Sequence, residues 1–265
     1  MIKKTIVTGM VALMSLAAMA LPAKRGLTNV ITLNDGTKVE VSLVGDEFMH
    51  YWQDANGNKY VPTGEANVFK LADASAVSNL TTRALARKAK AHARRAARRN
   101  LSNATDVFQG KKKGLVILVE FTDVKFKNSD SQTLFNRIAN EAGYNEGYFQ
   151  GSVKDYFLAQ SRGQFELDFD VVGPVKLSHN MKYYGGNDEN GYDLHPEEMI
   201  VEACKGIDSK VDFSKYDWDG DGEVEMVFVV YAGRGEASGG DANTIWPHKF
   251  NLDHPTTYGG KKVYV

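Results

Sequence analysis

A run of alternating carboxylates constrains the folding of this chain more than any other feature of its sequence. The run contains Asp217, Asp219, Asp221, Gly222 and Glu225. Like charges crowded into one tight loop repel one another unless a cation lies among them. Oxygen ligands at alternate positions, with a glycine for the sharp turn, are typical of a calcium-binding loop. The sequence therefore predicts a calcium ion at this loop.

The remainder of the loop follows the calcium-loop pattern only in part. The backbone carbonyl of Glu223 falls at position 7 and Glu225 at position 9, whereas position 12, normally a bidentate glutamate, is Phe228. An apolar, β-branched run over 227–231 replaces the second helix and predicts a buried strand. We therefore expect a ligand from elsewhere to complete the site, and a structural ion rather than a switch. A solvated acidic turn between strands is the alternative.

The composition indicates a soluble globular protein of one or two domains with a real core. The chain has 265 residues, of which 43% are hydrophobic and 25% charged, and its formal net charge is −1. This overall charge gives no support to nucleic-acid binding. Cys204 is the single cysteine, which excludes an internal disulfide framework.

The segment 1–20 has the pattern of a signal peptide. Two lysines precede a largely apolar stretch, and Ala18 and Ala20 provide the small residues of a cleavage site. We expect cleavage after Ala20, with Ala23 as the second choice. The apolar stretch is shorter than the ~20 residues that span a bilayer, so an uncleaved anchor is the weaker alternative. The expected destination is extracellular or periplasmic, without a stable membrane anchor.

Residues 21–80 are predicted to form a β-rich unit. Turn sequences at 34–37 and 55–58 contain Asp-Gly and Asn-Gly pairs between strand-like runs, which indicates two hairpins. His50 lies within one of these runs, and we interpret it as a packed strand residue rather than a ligand. No residue of this unit is assigned a chemical role.

Residues 81–110 contain many cations strung through alanines. The cations are Arg83, Arg87, Lys88, Lys90, Arg94, Arg95, Arg98 and Arg99. A basic helix that binds nucleic acid or a membrane surface is one interpretation. Because no aromatic or apolar face accompanies the charge, we favour an exposed linker open to proteolysis and expect no nucleic-acid partner. The predicted processing sites are Arg94, Arg95, Arg98 and Arg99.

The remaining residues, 111–265, mix strands and helices without a strict βαβ alternation. Apolar runs and 3.6-residue periodicity predict strands at 114–121 and 164–172 and helices at 131–141, 152–161 and 196–205. Asp130 and Ser152 are predicted helix caps, and Pro196 a predicted first helical residue. The predicted fold class is α+β.

Several motifs resemble those of one known family. They are Ser-Val-Lys-Asp-Tyr-Phe-Leu-Ala-Gln-Ser at 152–161 and the segments 163–165, 172–175, 183–185, 230–237 and 244–248. With the acidic loop between them, these motifs resemble, in the same order, the protease domain of immune inhibitor A-type zinc metallopeptidases, the sixth metallopeptidase family. Gly-Asp-Glu-Phe at 45–48, with His-Tyr at 50–51, resembles the propeptide of that family.

This resemblance implies a secreted zincin that carries a propeptide and hydrolyses proteins or peptides. It implies a small β propeptide unit at 21–80, followed after the linker by the N-terminal part of a zincin-like metallopeptidase domain at 111–265. Zinc would be the cofactor of the full-length enzyme.

One departure from the family pattern affects activity. A zincin needs His-Glu-x-x-His on a helix, because two imidazoles one turn apart hold zinc and the glutamate activates its bound water. The histidines are His50, His92, His179, His195, His248 and His254, and none begins this motif. The string that starts at His195 is the nearest match, and it lacks both the adjacent glutamate and the second histidine.

In the family, the zinc helix lies downstream of the Trp-Pro-His segment at 246–248. We therefore expect this chain to be incomplete at its C-terminus, to hold no catalytic residue or zinc ligand, and to be inactive alone. His248 and His254, near Pro247 and Pro255, are interpreted as ordinary surface residues. Two alternatives remain: a secreted calcium-stabilised pseudoprotease or binding module, and a protein that binds through its basic tract.

Overall fold

The structure is a computed structural model that describes residues 22–65, 67–101, 107–249, 251–252 and 254–264. Within this range the side chains of 94–101 are not described. The predicted signal peptide with Ala20 lies outside the described residues, as do the side chains of the predicted processing sites Arg94, Arg95, Arg98 and Arg99.

The N-terminal part folds into a closed five-stranded β-barrel. Its strands are β1 (Thr28–Leu33), β2 (Lys38–Asp46), β3 (Met49–Gln53), β4 (Lys59–Pro62) and β5 (Val68–Leu71). Neighbouring strands are antiparallel except for β1 and β5, which close the barrel in parallel. The buried core consists of Ile31, Val41, Trp52, Tyr60 and Phe69. Both predicted hairpins are confirmed, because 34–37 joins β1 to β2 and 55–58 lies between β3 and β4.

A long helix, α1 (Ala74–Leu101), follows the barrel. Asp73 begins it by accepting the backbone N–H of Ala76 at 2.7 Å, and alanine, leucine, arginine and lysine are strong helix formers. Leu80 and Ala84, four residues apart on one face, are buried, and α1 packs against β3. For residues 81–110 we favoured an exposed linker over a basic helix, but the structure continues α1 through this tract to Leu101. Its first turns instead pack on the barrel, because high helix propensity and one small apolar stripe are sufficient for docking. We call residues 22–93 the barrel unit.

The second unit, residues 107–264, is built on a parallel three-stranded sheet in the order β7–β6–β9. These strands are β6 (Gly110–Glu120), β7 (Phe165–Lys176) and β9 (Val227–Tyr231). The central strand β6 is buried from Leu115 to Val119, as its continuous apolar run predicts. Strand β9 is confirmed as a strand, but the prediction that it is buried is wrong. Its residues are half-buried because, among the described strands, β9 pairs with β6 alone and lies at an edge of the sheet.

Helices cover this sheet on both faces. They are α2 (Ser131–Asn140), α3 (Val153–Gln160), α4 (Met181–Gly185) and α5 (Pro196–Ile207). The predicted caps are confirmed: Asp130 accepts the Thr133 N–H, and Ser152 forms a reciprocal capping box with Asp155. Alternate residues of β6 enter two different cores, Leu115 and Ile117 on the α5 side and Val116 and Leu118 on the α2 side.

A smaller sheet lies beyond the acidic loop. It contains β8 (Glu223–Val224), β10 (Thr256–Tyr258) and β11 (Lys261–Val263) in the order β10–β11–β8. The predicted α+β class is therefore confirmed at the level of mixed helices and strands. In the part of the chain that the structure describes, no helix is both long and apolar enough to cross a membrane.

Candidate functional site

The acidic loop is anchored at both of its ends by buried residues. Tyr216, the last residue of a short 3-10 helix, and Val224 in β8 are almost inaccessible to solvent, and the Glu225 N–H donates to the Tyr216 carbonyl at 3.2 Å. Between these anchors the chain turns through Gly220 and Gly222 with φ of 80° and 93°. Only glycine adopts such angles freely, so this tight turn depends on both glycines.

The structure brings together four of the side chains that the sequence singled out. One carboxylate oxygen from each of Asp217, Asp219, Asp221 and Glu225 lies within 4.8 Å of the others. Backbone N–H groups hold the aspartates in place, such as that of Gly220, which donates to Asp217 Oδ1 at 2.8 Å. Glu223 lies outside this group, as expected for a residue predicted to contribute only its backbone carbonyl. The binding of calcium itself stays a prediction.

The side chain that reaches this loop from a distant segment is a cation. Strand β11 pairs in parallel with β8, and this places Lys261 Nζ 2.7 Å from Asp217 Oδ2. The Asp217 side chain is only 2% exposed, whereas that of Lys261 is 27% exposed, so the carboxylate is the shielded partner of this ion pair. The sequence had instead predicted a ligand for the ion. Phe228, at position 12 of the calcium-loop pattern, packs its ring against Phe169 with centroids 5.7 Å apart.

The loop carboxyls differ in their tendency to ionise. Burial alone would raise the pKa of Asp217, but the Lys261 ammonium and the N–H groups of Gly222 and Gly220 together lower it. Burial, with a smaller contribution from the nearby Asp219 and Asp217 charges, raises the pKa of Glu225 to about 7, and the Trp218 N–H at 2.6 Å opposes the shift. A cation among these groups would favour the ionised form of Glu225.

A second candidate region is the contact between the barrel unit and the second unit. The imidazole of His50 stacks on the indole of Trp246, with ring centroids 4.2 Å apart and planes 14° apart. Tyr192 Oη donates to the backbone carbonyl of Phe48 at 3.0 Å. The guanidinium of Arg87 on α1 lies 3.8 Å from the centre of the Tyr192 ring. Trp246, the first residue of the Trp-Pro-His segment, is therefore covered by the barrel unit.

The histidines of this region behave differently from one another. His50 is confirmed as a packed strand residue, and burial lowers its pKa to about 4, although its contact with the Asp46 carbonyl opposes the shift. The prediction that His248 is an ordinary surface residue is wrong. It is half-buried, its Nδ1 lies 2.6 Å from the Trp246 carbonyl, and burial lowers its pKa. His254 is exposed, as predicted.

A cavity of about 380 Å³ lies between the two units. Its walls include Glu47, His50, Arg87, Asp193, Trp246 and His248. Burial raises the pKa of Glu47, and the side-chain atom Glu47 Oε2 is buried without a hydrogen-bond partner among the described residues. The cavity therefore lies at the contact between the two units and is lined in part by polar groups that burial removes from water.

The sequence patterns did not single out two further carboxyls of the second unit, one of which lines this cavity. Asp193 accepts the backbone N–H of Trp246 at 3.0 Å, and Glu236, only 1% exposed, accepts from Asn187 Nδ2 at 3.1 Å. Burial raises the pKa of both carboxyls well above the usual range, and the Asp193 charge adds to the shift of Glu236. No local pattern could have paired them, because they come from segments far apart in the sequence.

Metal-ligand geometry in the described residues is confined to the acidic loop. Among the described residues, no other group of three or more His, Cys, Asp or Glu side chains converges closely enough to hold an ion. His50 is half-buried and stacked on Trp246, and His195 pairs with Glu198 at 3.0 Å. The imidazoles in the described part of the chain therefore do not fit a zinc centre.

Comparison with known proteins identifies the class to which this fold belongs. The sequence profile described as "Immune inhibitor A peptidase M6, catalytic domain" matches residues 102–264. The chain therefore belongs to this family of metallopeptidases, and the resemblance seen in its motifs is confirmed. One relative is Immune inhibitor A from Bacillus thuringiensis subsp. alesti, 26% identical over 177 residues. That alignment covers 54% of this chain and 26% of the relative, so the chain spans about a quarter of the relative's length.

Proposed function

We propose that this chain is the front part of a secreted, zinc-dependent protease that hydrolyses peptide bonds in protein or peptide substrates. The observation that carries the proposal is the family match over 102–264, which covers the whole of the second unit. Membership of a metallopeptidase family implies a catalytic metal, and the family resemblance makes that metal zinc.

The zinc-binding part belongs, in this proposal, to a segment downstream of Val265. The sequence contains no His-Glu-x-x-His string. The residues present do not fit zinc, so no step of peptide hydrolysis is assigned to them. The chain alone is therefore expected to be inactive, and its part in the enzyme is to form the sheet, the acidic loop and the Trp-Pro-His segment.

The proposed role of the acidic loop is to hold a structural calcium ion. Asp217, Asp219, Asp221 and Glu225 would supply side-chain oxygens and Glu223 its backbone carbonyl. The convergence of four carboxylates within 4.8 Å supports this role, because calcium prefers several hard oxygen ligands in a flexible shell. The ion would connect the 3-10 helix before the loop to β8 and so stabilise the edge of the small sheet.

The barrel is proposed to be the propeptide of a proprotein. In support, the family match begins at 102, beyond α1, and the barrel unit covers Trp246 of the matched part. The protein would be exported through cleavage after Ala20 and matured by cleavage at Arg94, Arg95, Arg98 or Arg99. Until that cleavage, the barrel unit would restrain activity.

A calcium-stabilised pseudoprotease or binding module is the second candidate. It is favoured by one observation, the absence of the zinc motif from the sequence. Two forms of the protein separate these functions, namely this chain alone and this chain extended by its downstream reading frame. Casein cleavage by each form is assayed with and without a zinc chelator. We expect chelator-sensitive cleavage only in the extended chain, and only with the glutamate of a downstream His-Glu-x-x-His intact. Chelator-sensitive cleavage by residues 1–265 alone, or a stop codon directly after Val265, would contradict the protease assignment as stated.

A further inference from the structure

The barrel-side residues that contact the second unit precede the predicted processing sites in the sequence. Among the described residues, the barrel-side contacts with the second unit include those of Ala23, Lys24, Phe48, His50 and Arg87 on α1, whereas the predicted processing sites begin at Arg94. Severing the basic tract at those sites therefore leaves the contact residues of the barrel unit on one intact segment. The residues of the barrel unit that contact Trp246, Tyr192 and Ala237 all precede the cut.

The centre of the interface is apolar and aromatic. Trp246 is 2% exposed and packs in a cluster with Ala23, Ala237 and Leu43, while its ring face is covered by His50. Buried tryptophans at the centre of a contact carry a large share of the binding free energy in protein complexes. Trp246 thus has the character of an anchor residue, although both of the units that it joins belong to one chain.

Polar contacts surround this centre. Tyr192 donates its hydroxyl to the Phe48 carbonyl and receives the Arg87 guanidinium on its ring face. The backbone N–H of Lys24 donates to the Ala237 carbonyl at 2.7 Å. Tyrosine and arginine, with tryptophan, are the residue types enriched among the strongest contributors to interfaces. The interface therefore has the composition of a contact that holds between separate molecules.

We propose that the barrel unit remains bound to the second unit as a separate polypeptide after the basic tract is severed. This inference rests on the proposed function in that it assumes the barrel unit is a propeptide. A covalent tether between the two units gives each unit a high effective concentration around the other, in the millimolar range for short linkers. The tether adds no contact of its own. Cleavage removes the tether and leaves the interface, so release of the barrel unit requires a second event such as dilution or digestion.

Two neighbouring cations on α1 provide a matched comparison. Arg87 reaches across the interface to Tyr192, whereas Lys88 pairs with Asp46 at 3.1 Å inside the barrel unit. Arg87→Ala and Lys88→Ala each remove one positive charge, and the two positions are adjacent on the same helix. Only Arg87→Ala removes a contact between the units, so only this variant tests the interface.

The experiment uses the whole chain with a site-specific protease sequence in place of residues 94–99. The protein is folded, cut at that sequence and passed over a size-exclusion column at ~10 µM, where co-elution requires a Kd of about 1 µM or tighter. We expect the two fragments to co-elute. Arg87→Ala should raise the Kd about tenfold, as expected for a cation–π contact removed from a partly buried site. Lys88→Ala should leave the Kd within about twofold of the parent, in the range of an exposed ion pair.

Elution of the fragments as separate species would overturn the proposal, and so would an equal effect of Arg87→Ala and Lys88→Ala. Thermal melts of the uncut variants verify that they are folded. If Arg87→Ala does not fold, Tyr192→Phe replaces it, because this change removes only the hydroxyl that donates to the Phe48 carbonyl. No proteolytic activity is measured, so separation of the fragments would leave the protease proposal intact. Conversely, failure of the protease proposal would leave the co-elution result unchanged.

Discussion

Lys261 Nζ lies 2.7 Å from Asp217 Oδ2, at the inner side of a loop that carries four converging carboxylates. The parallel pairing of β11 with β8 delivers this ammonium to the loop. The loop therefore has a positive charge of its own, placed on one of the carboxylates that a calcium ion would use. A bound ion and Lys261 would compete for Asp217, and this competition makes the calcium proposal testable in two independent ways.

The first prediction concerns calcium and Asp219. If the loop holds calcium, a hundredfold excess over the Kd adds about 2.7 kcal/mol to the free energy of unfolding, and magnesium adds much less. Asp219→Ala should shrink this gain because it removes one ligand. In chelator the same change should be neutral or mildly stabilising, since it relieves like-charge crowding. Thermal melts in chelator, magnesium and calcium measure these effects, with Asp208→Ala, an exposed carboxylate outside the loop, as control. Identical wild-type curves in all three solutions would rule out the calcium site.

The second prediction concerns the competing cation. Lys261→Ala should destabilise the protein in chelator, because Asp217 then keeps a largely buried charge without its partner. In calcium the same change should tighten binding by about tenfold, because the ion no longer displaces an ammonium. Lys262→Ala, on the next and exposed residue of β11, is the matched control. Calorimetric titration with calcium measures the affinity, and weaker binding in Lys261→Ala would contradict the competition.

The third prediction is that protonation of His50 destabilises the protein at acid pH. The folded state lowers the pKa of His50 from 6.5 to about 4, so it favours the neutral ring. The free energy of unfolding is unaffected by this group above pH 6.5. It falls by up to about 3 kcal/mol as the pH falls toward 4 and the ring must be protonated. His50→Phe keeps a ring on Trp246 without a titrating group, and should reduce the loss of melting temperature between pH 7 and 4.5. His254→Phe, at an exposed position, should not, and equal losses in both variants would contradict the assignment to His50.

The fourth prediction is that ionisation of Glu236 destabilises the protein as the pH rises. The folded state raises the pKa of Glu236, so this carboxyl favours the fold while it is protonated and destabilises the fold as it ionises. Stability should therefore fall as the pH rises above the usual carboxyl range. Glu236→Gln should flatten that decline and unfold at a higher urea concentration than the wild type at pH 8. Glu189→Gln, at an exposed site, serves as control, and a steeper decline in Glu236→Gln would refute the prediction.

The fifth prediction concerns proteolysis of the basic tract. The contacts of α1 with the rest of the protein involve Leu80, Ala84, Arg87 and Lys88, so trypsin should spare Arg83 and Arg87. We expect the first cuts near Arg94 and Arg95 or Arg98 and Arg99, with a product that begins near Leu101. Mass spectrometry of early time points identifies the cut sites. Early cuts scattered through 29–71 would instead indicate that the barrel is not a stable unit.

The local structure of this protein could be predicted from its sequence because short-range chemistry decides it. The hairpin turns, the Asp130 cap and the Ser152–Asp155 capping box each depend on residues within a few positions of one another. The convergence of Asp217, Asp219, Asp221 and Glu225 has the same origin, since a tight glycine turn brings alternate side chains to one side. The motif order also indicated the family, which the match over 102–264 confirms.

Tertiary structure alone decided which distant groups meet. Lys261 reaches Asp217 only because β11 pairs with β8, and Trp246 meets His50 only because the barrel unit packs on the second unit. The burial of His248 and the helical docking of the basic tract followed from the same packing, and the sequence analysis missed both. The pKa values of His50, Asp193 and Glu236 depend on how much water the fold removes around each group. Burial is a property of the assembled chain, and no local pattern of residues contains it.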